Sequence, residues 1–431
     1  MKLLRTGGQV LAARGAQVVA GAAVGLVVAR ALGPAAQGHY SLTIAVMTFA
    51  GALLNGGVGL SAVPPLRRHE LSLRRILRAQ GVWFALAGAA LLAAGAVATT
   101  GGAAAWTAAH LGWTGAVAGA AAAGAAALLA CDVLFYDLLA QGRPVAGAVA
   151  GLARPGAQLL LLAACFAAAG RLRPGVAVGL FAAAQFAGAA VLFALLRRER
   201  GESPPGAAAA GAAWPRGAPA LARALARAGW LGQLSAVASL LHMRLNFALL
   251  AAWHGPAAVG VFSVAVLVGE LLWNLPSALS PILVYSSAAS GDAGDRDRLA
   301  ARAVRVGLAA TAVVALPLGL LAGWLLPRLF GGEYAAAAPA LRALLPGIVA
   351  FAPGAVLAGD FIGRGRPGWN AQASAFTLAV NLVAGLALVP RLGLLGAAWA
   401  STIAYASGAA WMVLRFRRAS GLTWRELLGR S

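Results

Sequence analysis

The stretch Ala31-Leu32-Gly33-Pro34-Ala35-Ala36-Gln37-Gly38-His39-Tyr40-Ser41 returns 222 residues later as Trp253-His254-Gly255-Pro256-Ala257-Ala258-Val259-Gly260-Val261-Phe262-Ser263. A second pair, Asp137-Leu138-Leu139-Ala140-Gln141-Gly142-Arg143-Pro144 and Asp360-Phe361-Ile362-Gly363-Arg364-Gly365-Arg366-Pro367, is offset by 223. Two separate matches at nearly one offset mark a tandem duplication. In each half the first motif follows the opening apolar window and the second follows the fourth.

Those windows decide the fold class. The 431 residues have a mean hydropathy of +0.80, with 61% hydrophobic and only 11% charged residues, more apolar surface than one soluble core hides. Windows of about 20 apolar residues, long enough to cross about 30 Å of hydrocarbon, recur along the chain. In lipid the backbone must satisfy its own polar groups, so such windows are helices. Segments of about ten residues with period-two alternation, the mark of an outer-membrane barrel, are missing. Spans are expected near 7–29, 38–62, 79–100, 114–136, 145–169, 175–196, 229–252, 257–283, 304–326, 338–361, 369–390 and 395–414. The expected architecture is an all-α integral membrane protein of about twelve transmembrane helices in two tandem six-helix lobes. An even number of spans per half makes the repeats parallel, packed around a central cavity. The lobes cover 1–196 and 229–414, joined by a basic cytoplasmic linker at 197–228 and followed by a cytoplasmic tail at 415–431.

Charge placement orients the chain. The formal net charge is +22, and with the N-terminus inside, 25 Lys and Arg fall in cytoplasmic segments when Arg305, at the inner edge of the ninth span, is counted with them. External segments carry only Arg30, Arg171, Arg173, Arg328 and Arg391. This bias places both termini in the cytoplasm of a multi-pass inner (plasma) membrane protein. The cations read as topology and anionic-lipid contact, so no nucleic acid is expected as a partner. The first span follows a short basic stub and is too long for a signal core, so it reads as a retained helix. Cys131 and Cys165 fall towards opposite ends of adjacent spans and are not expected to pair. The linker, from Arg197-Arg198-Glu199-Arg200 through Ser203-Pro204-Pro205 to Arg223 and Arg227, fits either a tether or a short interfacial helix near 217–227. Most of the 56 glycines read as packing positions, as Gly21 and Gly25 would four apart in span 1.

Ionisable residues inside spans are costly and therefore functional candidates. Arg14 lies two turns into span 1, roughly 10 Å from its inner edge, with Gln17 a turn above. Arg154 sits mid-span 5, four residues before Gln158, and Arg244 lies deep in span 7. Ser235, Ser239, His242 and Asn246 stripe another face of span 7, so that helix is not expected to face lipid. Guanidinium forks bind phosphate bidentately, and Arg14, Arg154, Arg244 and Gln17 suggest a cationic cavity for an anionic cargo such as a pyrophosphate. Equally, Arg14 can snorkel to headgroups, and Arg154 can pair with Asp132 or Glu270. Glu270 stands mid-span 8 before Asn274, Pro276 and Pro281, which should bend that span. Span 10 has a similar pair, Pro346 and Pro353. Glu270 is the ion-coupling candidate for a proton or Na⁺, against a salt bridge to Arg244 or Arg154.

Asp137 and Asp360 are expected to cap their helices or bridge to Arg143 and Arg366, with a gate role as the functional alternative. The cluster Asp292, Asp295 and Asp297 beside Arg296 and Arg298 reads as a solvated charge run. His39, His69, His110 and His254 have no metal partner at useful spacing, so no metal site is expected. There is no Ser/His/Asp set, no lysine-bearing P-loop and no large external domain, which argues against an enzyme and implies no cofactor.

At this point Ala29 to Ser41, Leu329-Phe330-Gly331-Gly332-Glu333-Tyr334 and Leu388-Val389-Pro390-Arg391-Leu392-Gly393-Leu394-Leu395-Gly396-Ala397-Ala398-Trp399-Ala400 carry a resemblance. The chain resembles the oligosaccharide flippase (polysaccharide biosynthesis protein) family of the multidrug/oligosaccharidyl-lipid/polysaccharide (MOP) superfamily. The resemblance implies twelve helices in two lobes forming a V. It implies alternating access that carries a polyprenyl-(pyro)phosphate-linked oligosaccharide from the cytoplasmic to the outer leaflet for cell-surface polysaccharide biosynthesis. It also implies the lipid bilayer, the lipid-linked glycan and other polysaccharide-assembly membrane proteins as partners. A drug or metabolite:cation antiporter of the same fold, with Glu270 central, is the alternative. A non-transporting glycan-assembly enzyme or scaffold is the second.

Overall fold

The computed structural model describes residues 2–198, 214–289 and 292–429, so residues 199–213 of the linker lie outside the described residues. These residues form helices and short turns, with no strand among them. The helices are α1 (Lys2–Asn55), α2 (Val58–Arg67), α3 (Leu73–Val97), α4 (Gly101–Leu111), α5 (Gly115–Ala140), α6 (Pro144–Gly151), α7 (Ala153–Ala169) and α8 (Pro174–Arg198). After the linker come α9 (Ala218–Leu272), α10 (Asn274–Ser277), α11 (Ser280–Ala289), α12 (Ala293–Phe330), α13 (Ala337–Gly363), α14 (Gly368–Ser420) and α15 (Trp424–Leu428).

Among the described residues nine segments are long and apolar enough to cross a membrane. Three of the nine are two spans joined without a loop. Gly33 (φ 71°, ψ 169°) breaks α1, Gly255 (φ 76°, ψ 176°) breaks α9 and Gly393 (φ 55°, ψ −125°) breaks α14. Left-handed φ values suit a residue without Cβ, and Pro34 and Pro256 follow with no N–H to continue the helix ladder. Dividing these three yields the twelve spans expected from hydropathy. The near-equal torsions at Gly33 and Gly255 show that the duplicated Gly-Pro is one turn used twice.

Prolines act differently in spans 8 and 10. Around Asn274–Ser277 the helix breaks into α10 and α11, as Pro276 and Pro281 predict. By contrast, α13 runs unbroken through Pro346 and Pro353.

The chain divides into two compact units. The first comprises Met1–Leu32 and His39–Val237, the second Gly33–Gly38 and Ala238–Ser431. In the first, α5 packs against α2, α3, α6 and α8. Small α5 residues, Ala121, Ala122 and Ala125, let Met47, Leu162 and Val178 close around it. In the second, α13 packs against α11, α12 and α14, burying Leu357 and Phe361 with Val304, Met412 and Phe416. Asp137 and Asp360 thus sit on the helix at the middle of each unit. The start of α9 is no free tether: Leu221, Ala222 and Leu225 are buried against Val58, Ala62, Leu71 and Ile76 of the first unit.

Glycine marks the closest backbone approaches. Within the second unit a Cβ on Gly38 would overlap the Pro256 carbonyl, and one on Gly260 would overlap the Pro34 carbonyl. The contact is reciprocal, and the Gln37 amide adds a hydrogen bond to Ser263 Oγ (3.3 Å). Within the first unit Gly57 and Gly229 meet in the same reciprocal way. Such backbone contact needs residues without side chains. Gly21, expected to mediate packing, has open space where its Cβ would point, so its role is not a close approach inside the protein.

These approaches set an expected stability order. Gly38→Ala and Gly260→Ala should each lower stability by about 1–3 kcal/mol through overpacking. Gly21→Ala should be neutral or gain up to about 1 kcal/mol from helix propensity. Thermal unfolding of the three variants in one detergent measures the order.

Candidate functional site

The hairpin at Gly255-Pro256 folds span 8 back on span 7, and Arg244 and Glu270 stand equidistant from Ala257 on its two arms. Arg244 Nη1 donates to Glu270 Oε1 at 2.7 Å and Nη2 to Oε2 at 3.3 Å, a bidentate charge-assisted pair. Of the two readings of Glu270, the structure forms the salt bridge to Arg244. The pair is still reachable, with 30% of the Arg244 and 27% of the Glu270 side chain exposed. Aromatic rings flank it. The Arg244 guanidinium lies 5.4 Å from the Phe247 ring centre. The Tyr405 ring is 5.4 Å from Trp273, 5.7 Å from Phe351 and 5.9 Å from His242.

The polar stripe on span 7 packs on α14, away from lipid as expected. Ser239 and Ser374 hydroxyls meet at 2.8 Å. Asn246 Nδ2 lies within hydrogen-bond reach of Asn381 Oδ1 (3.0 Å), Ser401 Oγ (2.7 Å) and the Ala397 carbonyl (3.2 Å). Asn381 Nδ2 donates to the His242 carbonyl at 2.6 Å. These hydrogen bonds tie three spans together, while Asn246 Oδ1 and His242 Nδ1 are buried with no partner among the described residues.

Arg14, Gln17 and Arg154 belong to the first unit. Arg14 is exposed, and among the described residues no carboxylate lies within 4 Å of it. Gln17 packs its amide against Gly151, where a Cβ would come within 2.9 Å of its oxygen. Arg154 lays its aliphatic stem on Gly188 of α8, which has no side chain to obstruct it, and its charge acts on Asp132 of α5. Gln158 Nε2 donates to Tyr40 Oη at 3.2 Å. Arg342, which the sequence reading passed over, donates from an exposed position in α13 to the Gly319 carbonyl at 2.9 Å.

The duplicated aspartates require corrections. Asp360 pairs with Arg364, one turn on, and not with Arg366. Arg364 Nε donates to Asp360 Oδ2 at 2.5 Å and Nη2 to Asp297 Oδ1 at 2.6 Å, while Ser287 Oγ donates to Asp360 Oδ1 at 2.6 Å. Arg366 instead lies over Trp369, 4.8 Å from its centre. Turn geometry explains the exchange: position i+4 returns to the aspartate's helix face, whereas Arg366 lies past the left-handed Gly365 (φ 70°). Asp297 is correspondingly no solvated loop charge. It lies inside α12, 8% exposed, between Arg364 and Arg296. Asp292 caps α12 by accepting from Gly294 N (2.8 Å), and Asp295 and Arg298 form an exposed pair. Asp137 accepts from Gln80 Nε2 at 3.0 Å, and Arg143 donates to the Leu195 carbonyl at 2.9 Å.

The network around Arg364 and the Arg244–Glu270 pair should separate by mutation. Arg364→Ala leaves buried Asp360 without its cation and Asp297 with Arg296 alone, and should cost about 3–5 kcal/mol, whereas Arg366→Ala should stay within about 1 kcal/mol. A double-mutant cycle on Arg244→Ala and Glu270→Ala should give a coupling of about 1–3 kcal/mol, between surface and buried values because both groups are part-exposed. Equilibrium unfolding of the full chain reads all of these.

No family model and no curated protein matches the chain. Solved structures do. A multidrug resistance MATE family transporter of the MOP superfamily, in its inward-facing conformation, matches with a TM-score of 0.74 and 17% identity, over 96% of each chain. The lipid II flippase MurJ, inward closed, matches with a TM-score of 0.77 and 11% identity, over 97% of this chain and 89% of that one. A MOP superfamily transporter from Pyrococcus furiosus, described by a binding pocket of reversed polarity, matches with a TM-score of 0.68 and 17% identity, over 97% and 95%. At such identities the likeness is one of fold, reached here also from twelve spans and a duplicated turn: the chain has the fold of the MOP-superfamily transporters.

Proposed function

We propose that this protein is a flippase that moves a polyprenyl-(pyro)phosphate-linked oligosaccharide from the cytoplasmic to the outer leaflet by alternating access. The observation that carries the reading is Arg14, an exposed guanidinium within a membrane-spanning helix, with no acid in reach among the described residues. An uncompensated cation in a span is costly unless an anion visits it. A phosphate is such an anion, and a guanidinium meets it with paired hydrogen bonds. The likeness to a lipid II flippase supports a lipid-linked cargo. In this reading residues 1–196 and 229–414 form the two lobes of the transporter in the inner membrane, with both termini cytoplasmic. Other polysaccharide-assembly membrane proteins are its partners.

In the first unit Arg14 and Arg154 serve the cargo phosphate, with Gln17 adding an amide donor, and in the second unit Arg244 does so. Arg244 is held by Glu270 until cargo phosphate competes for its two N–H groups. Glu270 is then free to take a proton or Na⁺, which couples cargo binding to an ion. Asp137, Arg143, Asp360 and Arg366 are the gate candidates at the ends of the fourth and tenth spans, each acting through its own partners rather than as Asp–Arg pairs.

A second reading, a drug or metabolite:cation antiporter, is favoured by one feature. The part-exposed Glu270 stands beside Trp273, Phe351 and Tyr405, a setting that suits an aromatic cation.

Deleting the gene, and following lipid-linked glycan and drug sensitivity together, separates the two. The flippase predicts glycan accumulating on the cytoplasmic leaflet and loss of surface polysaccharide, restored by the wild-type gene but not by Arg14→Ala/Arg244→Ala. Each single arginine variant should lower transport roughly 10- to 100-fold, the loss of one charge-assisted hydrogen-bond set. Normal surface glycan with new drug sensitivity would overturn the flippase and favour the antiporter.

A further inference from the structure

Asp137 and Asp360 are two copies of one residue, and both are fully buried at 0% exposure. Their surroundings differ. Asp360 is neutralised by Arg364 and hydrogen-bonded by Ser287. At the position of Arg364 the first copy has Gln141, so the counter-cation is gone. Asp137 receives one hydrogen bond, from Gln80 Nε2 of α3 to Oδ1 at 3.0 Å. Among the described residues its Oδ2 has no partner, and neither has Oε1 of the same Gln80, itself 0% exposed.

Two orphaned acceptors on two side chains already joined by one bond make a specific chemical statement. A buried unpaired acceptor is costly, and a buried carboxylate without a cation is costlier. One proton relieves both. Placed on Oδ2, it is donated to Gln80 Oε1 while Gln80 Nε2 donates to Oδ1, closing a neutral acid–amide ring.

The neighbouring charges leave that role open. From α2, Arg67 donates to the Leu139 carbonyl (3.1 Å). In the turn before α3, Glu70 takes Arg68 (3.8 Å) and Trp214 (3.1 Å). From α3, Arg74, Arg75 and Arg78 precede Gln80, and Arg75 donates to the Pro215 carbonyl (3.0 Å). At the start of α6, Arg143 reaches the Leu195 carbonyl, and from α8, Arg197 lies over Phe193 at 4.9 Å. α5 itself carries Asp132 and Tyr136. α1 carries Arg14, Arg30, His39 and Tyr40, and approaches α5 at Ala125, about three turns from Asp137. Among the described residues the Asp137 carboxylate is in no ion pair within 4 Å.

We propose that Asp137 is a proton-binding site, whose proton on Oδ2 bonds Gln80 and clamps α3 to α5, and whose release frees that contact. Without the proton, Oδ2 and Gln80 Oε1 both lose their donor and only the Nε2–Oδ1 bond still joins α3 to α5. The clamp therefore loosens as the proton leaves. The duplication left one copy a fixed ion pair and made the other exchangeable. This inference is independent of the cargo.

Infrared difference spectroscopy of the full chain in lipid nanodiscs tests it. The wild type should show, at neutral pH, the carbonyl stretch of a protonated carboxylic acid that shifts in D2O. The band should vanish in Asp137→Asn and move in Gln80→Leu, where the acid loses its partner. Asp137→Asn keeps the ring through its own amide, so it should match wild-type thermal stability near neutral pH. It should also lose part of the pH dependence. Folding that takes up a proton makes wild-type stability fall as pH rises, and this component should be absent from the variant. A wild type without the band, or a band unchanged in either variant, would overturn the proposal. So would Asp137→Asn folding but losing as much stability as Asp360→Asn, which would show that the charge itself is required.

Discussion

Close backbone contact at four small positions organises this protein. In the second unit Gly38 lies on the Pro256 carbonyl and Gly260 on the Pro34 carbonyl, so each copy of the duplicated motif supplies both a proline carbonyl and the glycine that admits it. Any side chain at either glycine would separate the helices. The preceding Gly33 and Gly255 take the left-handed torsions that turn the chain, and the prolines withhold an N–H that would otherwise continue the helix. Turn and crossing are thus one device spread over six residues. The antiparallel hairpins that bring Arg244 to Glu270 follow from it.

Charge inside the helices is handled by pairing, in three degrees. Arg364 is enclosed by Asp360 and Asp297 and is nearly inaccessible, which makes it a fixed tie between α12 and α13. Arg244 and Glu270 are paired but part-exposed, so a competing anion can reach the guanidinium. Arg14 is exposed, with no carboxylate in reach among the described residues. The order runs from architecture to accessibility.

The duplication also exposes where the halves have diverged. The central helix of each unit, α5 and α13, ends in Asp-x-x-x-(Gln/Arg)-Gly-Arg-Pro. One exchange, Gln141 for Arg364, changes a salt-bridged carboxylate into one held by a single amide. The one carboxylate has a guanidinium as its partner and the other an amide. Equivalent places in a repeat can therefore do different chemistry without any change of backbone.

Much of this was legible in the chain alone. Hydropathy located the twelve spans, because lipid requires continuous apolar helices, and the offset of 222 to 223 residues exposed the repeat. The break at Pro276 and the polar stripe of span 7 followed from local chemistry. Partners did not. Asp297 read as a solvated loop charge because its neighbour Arg364 is 67 residues away. Arg366 looked the natural partner of Asp360 until helix geometry put Arg364 on the right face. Gln80 carried no signal at all, since its meaning depends on an aspartate 57 residues on. Sequence by itself determined which segments are helices and where the chain turns, because those depend on solvent and on backbone torsions encoded within a few residues. The tertiary structure alone decided which charges are neutralised, because an ion pair depends on distance in space and adjacent helices bring together residues the sequence keeps far apart.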